Sequence, residues 1–127
     1  MADLSQFAGL TEAQEEGIDV ALRLPNGDPI GATIRVAGPD SKRQRAARQR
    51  IISDRMKSRS RQSSVDELEA EAMTVTVASV ISWEGIEENG ASLECTRENV
   101  KHVFATYPFI REQVEAAIGD RSVFMKS

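Results

Sequence analysis

The sequence predicts an α+β domain in which an N-terminal β-hairpin precedes a bundle of about four α-helices. Residues 18–24 and 30–36 alternate between apolar and other side chains, the period of a strand with one dry face and one wet face. From residue 40 onward the punctuation is that of helices. Asp, Ser or Thr stands ahead of three helix-forming runs, and Pro108 opens a fourth that Gly119 closes. The length, 127 residues, suits one modest core.

Residues 1–16 are small, polar and acidic and read as a flexible N-terminal arm, with Leu4, Phe7 and Leu10 spaced as one amphipathic turn would need. Residues 17–127 form the single domain. Its hairpin spans residues 18–37. Ile18, Val20, Leu22 and Leu24 make one apolar face, and Ile30, Ala32, Ile34 and Val36 the other strand's share of it. Pro25-Asn26-Gly27-Asp28-Pro29 between them carries an Asn-Gly turn signal framed by prolines. Such a hairpin is marginal in water alone, so other elements must cover it.

Gly38-Pro39 stops the strand, and Asp40 or Ser41 caps a helix over about 41–62. This segment is basic: nine of the sixteen Lys and Arg residues fall between Lys42 and Arg61. Ala47, Ile51, Ile52 and Met56 give it a narrow apolar stripe. Arg45, Arg48 and Arg55 are the candidate basic surface. A phosphate backbone is one partner for such a helix. A solvated helix that pairs with acidic neighbours fits better, because aromatic stacking residues are absent and Asp54 interrupts the run.

Arg59 to Ser64 reads as a polar joint or a tolerated helix interior. Ser64 with Glu67 makes a capping box, and the acids that follow suit a helix N-terminus. The helix is expected over 65–83, buried in its C-terminal half and antiparallel to the basic helix. Glu87-Glu88-Asn89-Gly90 reads as a loop and Ala91 to Glu94 as a short extended piece. Thr96 caps a helix over 97–106 that turns Val100, Val103 and Phe104 inward. Pro108 opens the last helix, 108–118, with Ile110, Val114, Ala117 and Ile118 inward and Gly119 as a left-handed stop. Asp120 starts a further turn that tucks in Phe124.

Chemistry is sparse. Cys95 is alone, which rules out an internal disulfide or a Cys-based zinc site. His102, the only histidine, lacks a recognisable orienting partner for a Cys–His pair. Glu84, Glu87 and Glu88 read as a solvated loop rather than metal ligands, and no phosphate-cradling glycine loop is present. The reading is a protein that is not an enzyme and needs no cofactor. The net charge of −4 argues against general nucleic-acid binding. No apolar run approaches membrane-spanning length, and the start is unlike a signal peptide, so a cytoplasmic protein is expected.

One set of motifs, in order, carries a resemblance. It comprises Gly38-Pro39-Asp40-Ser41 before the basic helix, an acidic-then-apolar helix ending in Trp83-Glu84-Gly85-Ile86, the Asn89-Gly90 loop and Thr96-Arg97-Glu98-Asn99. Tyr107-Pro108-Phe109-Ile110-Arg111-Glu112-Gln113-Val114 and Asp120-Arg121-Ser122-Val123-Phe124 complete it. Over residues 17–127 the chain resembles the small tail assembly chaperones of long-tailed bacteriophages and prophages. The resemblance implies a non-enzymatic protein of the bacterial host cytoplasm. It would bind the tape measure protein, keep it soluble, recruit tail tube protein and be absent from the finished particle.

For that role Trp83, Phe104, Tyr107 and Phe109 are candidate partner-binding anchors, with Arg111 among them, because aromatic residues dominate interface energetics. Trp83 and Phe104 serve equally well as core and are read as core first. The basic and acidic helices offer complementary surfaces for a homo-oligomer. Two other classes stand beside this reading. One is a structural virion component such as a tail or neck adaptor. The other is a small DNA-binding regulator using residues 42–61, although no helix-turn-helix is evident.

Overall fold

In the computed structural model, which describes residues 1–58 and 64–125, the alternation over 18–36 becomes two strands of a three-stranded antiparallel sheet. Strand β1 (Ile18–Arg23) pairs with β2 (Pro29–Val36), setting Ile18 opposite Val36 and Val20 opposite Ile34. This register puts Ile18, Val20 and Leu22 on the same face as Ala32, Ile34 and Val36. Leu22, Ala32, Ile34 and Val36 are buried, while Leu24 and Ile30, beside the turn, are exposed. The apolar face thus ends short of the turn. The turn itself centres on Pro25-Asn26, closed by the Gly27 N–H donating to the Leu24 carbonyl at 2.8 Å. Gly27 follows in the left-handed region at φ 96°, which a side chain would resist.

The helix expected over 65–83 is shorter. Helix α3 is Val65–Ser79, and the chain continues without a break into β3 (Val80–Glu84), which pairs with β2. The run from Ala72 to Trp83 has no Gly, Pro or Asn to mark the change, and β-branched residues suit either state. Pairing decides it: Val80 lies opposite Val36 and Trp83 opposite Ile34, so the segment completes the sheet. Upstream, the helix satisfies its own hydroxyls. Thr74, Thr76 and Ser79 donate to the carbonyls of Ala70, Ala72 and Val75 at 2.9–3.0 Å. Ser64 accepts from the Glu67 N–H at 3.1 Å, as its cap.

The segment expected as a loop at Glu87-Glu88 is a small hairpin, β4 (Glu87–Glu88) with β5 (Ala91–Ser92). Asn89 and Gly90 between them both take positive φ, the form of a two-residue hairpin turn. Helix α4 (Arg97–Thr106) starts at Thr96, whose hydroxyl accepts from the Asn99 N–H, and α5 (Pro108–Ile118) starts on its proline. Both have the expected bounds. Gly119 differs from expectation: its φ is −74°. The chain leaves α5 through a right-handed turn, and Asp120 immediately caps the 3-10 turn Arg121–Phe124.

The core lies between the sheet and the last helices. Helix α5 packs on β1 and β2 and against α4. Ile34, Val36, Val77, Val100, Val103, Phe104, Ile110, Val114, Ile118 and Phe124 are all buried, each contributing on the order of 1.5–3 kcal/mol. Gln113, on α5, closes the outer edge of β1. Its amide accepts from the Arg23 N–H and donates to the Arg23 carbonyl, both at 2.8 Å, as a strand would.

Helix α2 (Lys42–Ser58) runs antiparallel to α3. Gln44 near the start of α2 donates to Ser79 at the end of α3, and Arg55 near its other end grips Glu71 with two N–H groups. The expected apolar stripe lies at the seam only in part. Gln44, Ala47, Ile51 and Arg55 share one α2 face by their three- and four-residue spacing, and Ala47 and Ile51 are half-buried there. Ile52 and Met56 are consequently exposed, as are Val65 and Leu68 on α3. The helix expected to reach residue 62 is described to Ser58, and the joint at Arg59 to Ser63 lies outside the described residues.

Residues 1–16, expected as a flexible arm, carry a 3-10 turn (Leu4–Phe7) and helix α1 (Gly9–Glu16). The buried Gln14 holds this helix in place. Its side-chain oxygen accepts from the Asp40 N–H at 2.7 Å, its amide donates to the Asp40 carboxylate at 3.0 Å, and its own carbonyl accepts from the Gly38 N–H. Glu15 caps the first turn of α2 through the Lys42 N–H at 2.6 Å. Leu4, Phe7 and Leu10 remain exposed.

Candidate functional site

The motifs that stand out in the sequence meet one another in the fold. Arg121 donates twice to Asp40, at 2.8 and 2.9 Å, joining the Asp-Arg-x-x-Phe end to the Gly-Pro-Asp-Ser turn. Those hydrogen bonds, with the one from Gln14, hold the Asp40 carboxyl well below the usual carboxylate range. The Trp83 indole N–H donates to the Leu93 carbonyl at 2.9 Å, and Tyr107 donates its hydroxyl to Glu88 at 2.8 Å, so both hold the β4–β5 hairpin. The Tyr107 bond, ahead of one from His102, lowers the Glu88 pKa. Glu88 in turn raises that of Tyr107.

The candidate anchors are accordingly spread through the fold. Phe104 is 1% exposed and wholly core. Trp83, Tyr107 and Phe109 are half-buried against that core. Arg111 lies between helices: it donates to Glu69 on α3 at 2.6 Å, and its Nε faces Glu115 at 3.1 Å without completing a hydrogen bond. Of the basic candidates, Arg55 is held by Glu71, which raises its pKa. Arg48 donates to the Gln44 side chain at 2.8 Å and to the Pro39 carbonyl at 3.3 Å. Arg45 is exposed. Two of these three side chains are thus engaged within the molecule.

The fold does not assemble Cys95 and His102 either. The imidazole Nε2 lies 3.0 Å from Glu88, and Nδ1 lies 3.4 Å from the Thr106 hydroxyl. Cys95 is elsewhere, half-buried, and burial pushes its thiol pKa up against the opposing pull of Arg43. Among the described residues, no group of three or more His, Cys, Asp or Glu side chains could hold a metal ion, and no helix is long and apolar enough to cross a membrane.

What the fold does assemble is a groove of about 520 Å³, framed by α2, α3, β3 and the start of α4. Its floor is small or apolar: Ala46, Ala47, Met73, Val77, Ala78, Val80, Ile81 and Val100. Its rim carries Arg43, Arg50, Arg97 and Lys101, and no carboxylate lines it. A smaller cleft of about 310 Å³ separates α1 from the C-terminal 3-10 turn, with Phe7, Leu10, Asp40 and Arg121 among its walls. The larger groove is the candidate site. No protein-family model, curated protein or solved structure matches this chain.

None of the residues singled out as anchors lines that groove. Its walls come from three separated segments, which local patterns do not connect. A signal existed nonetheless. Arg43 and Arg50 are seven residues apart with Ala46 and Ala47 between them, and Arg97 and Lys101 are four apart with Val100 between them. Each set puts cations beside small or apolar residues on one helical face.

Proposed function

We propose that this chain is a small, non-catalytic assembly chaperone of a long-tailed bacteriophage or prophage. In that role it binds the tape measure protein, keeps it soluble and brings tail tube subunits to it in the host cytoplasm. The observation that carries the reading is the groove, with an apolar floor and a charged rim. A chaperone for a long helical client has to cover the client's apolar stripe while staying soluble itself. A floor built from helix surfaces, with alanines where close approach is needed, accepts another helix by the ridge-and-groove packing that joins helices in general. The charged rim keeps the empty groove hydrated. The resemblance of the ordered motifs to the tail assembly chaperones points to the same client.

The test is affinity capture of the tagged protein from cells producing the phage, with mass spectrometry of the captured proteins and of purified particles. The expected result is co-purification with the tape measure protein and absence from the particle. Recovery of this chain as a stoichiometric particle component would replace the chaperone reading with that of a tail or neck adaptor.

A further inference from the structure

The rim of the groove has one sign although the protein as a whole has the other. Net charge is −4, with 20 acidic and 16 basic residues, yet the four charged residues around this opening are all cations. Two come from α2 and two from α4, so they face each other across an apolar floor. Cations gathered on facing walls raise the local potential and select an anionic occupant. The floor excludes a purely polar one, because seating polar groups on Ala47, Met73 and Ile81 without partners costs free energy.

We propose that the groove takes an acidic amphipathic helix of the partner protein. Its apolar stripe rests on the half-buried Ala47, Met73 and Ile81, and its flanking carboxylates reach Arg43 and Arg50 on one side and Arg97 and Lys101 on the other. The inference rests on the reading of this chain as a binder of helical clients and specifies which client segment fits. A helix is favoured over an added strand at β3. That strand is only five residues long, and its Val80 carbonyl already faces the Arg43 guanidinium at 3.5 Å. Arginine suits such a rim because its planar fork can grip a carboxylate with two parallel N–H bonds.

The test uses the full chain and a fluorescent synthetic helix with leucine along one face and glutamate on both flanks, followed by anisotropy. Binding is expected, and it should weaken as salt rises. The same peptide with lysine for glutamate, or with its leucines scattered around the helix, should not bind. Arg50→Glu with Lys101→Glu should weaken binding roughly tenfold or more, as reversal of close complementary charges does. Ala46→Trp, which sets an indole over the groove from its α2 wall, should abolish it, while Arg45→Glu, outside the groove, should leave it unchanged. Circular dichroism melts establish that each variant is folded. Should the double charge reversal unfold, the Ala46→Trp result decides alone.

Equal binding of the lysine peptide, or binding indifferent to Ala46→Trp, would overturn the proposal. So would self-association of the chain that Arg50→Glu removes, which would assign the groove to a second copy. The two readings fail separately. Capture of the tape measure protein that persists in the Arg50→Glu/Lys101→Glu variant would sink the acidic-helix proposal and leave the chaperone standing. Groove-dependent peptide binding without capture of that client would do the reverse.

Discussion

The half of the molecule built from the sheet, α4 and α5 differs in kind from the α2–α3 helix pair. The first is held by buried aliphatic and aromatic side chains, with Ile34, Val36 and Val114 fully enclosed and Phe104 nearly so. The second is held together by polar and ionic contacts, Gln44 with Ser79 and Arg55 with Glu71, and Arg111 of α5 reaches across to it at Glu69. It leaves Ile52, Met56, Val65 and Leu68 in solvent. Apolar burial fixes a fold, whereas exposed ion pairs add little to stability. The difference therefore separates a scaffold from a surface whose apolar and charged groups are open to a partner, and the groove lies where the two meet.

Substitutions should rank in that order. Phe104→Ala removes the largest fully buried side chain and should cost about 3–5 kcal/mol, read as a fall in the urea midpoint. That is a large part of the stability of an ordinary small domain. Gln44→Ala breaks the buried hydrogen bond to Ser79 that links α2 to α3, and should cost about 1–3 kcal/mol by the same measurement. A loss as large as that for Phe104 would mean the helix pair belongs to the core after all.

Asp40 sharpens the comparison through pH. Its folded carboxyl titrates below the ordinary value of 3.8 because Arg121 and Gln14 bond the charged form. The stabilisation is therefore complete above that value and is lost as pH falls through the folded pKa. Urea midpoints measured between about pH 5 and pH 2 should fall less steeply for Asp40→Asn than for the parent protein. Parallel acid limbs would show that this link between the chain's end and the start of α2 contributes nothing. The smallest effect belongs to Arg55→Ala, which should leave the melting temperature nearly unchanged because the pair with Glu71 is at the surface.

Legibility in the sequence follows the same divide. The hairpin, α4 and α5 could be read because their signals are local: alternation at 18–36, a threonine cap at 96 and a proline at 108. The change from α3 to β3 could not, since residues 72–83 satisfy both periods and only pairing with β2 chooses between them. The docking of α1 was equally hidden. It depends on Gln14 and Glu15 reaching backbone groups at Asp40 and Lys42, and nothing near residue 14 announces those partners. For the site, aromatic residues drew attention as scarce and large, but the fold uses them as core and as braces for the β4–β5 hairpin. The groove depends on which helix faces meet, and the apolar stripe of α2 did not reveal its rotation.

The most direct test is hydrogen exchange of the chain alone and with the proposed client, the tape measure protein, added. New protection is expected in 43–50, 73–81 and 95–101, the segments that form the groove, with the rest of α4 and α5 unchanged. Protection confined to residues 83–93 and 104–113, where the aromatic residues lie, would contradict it.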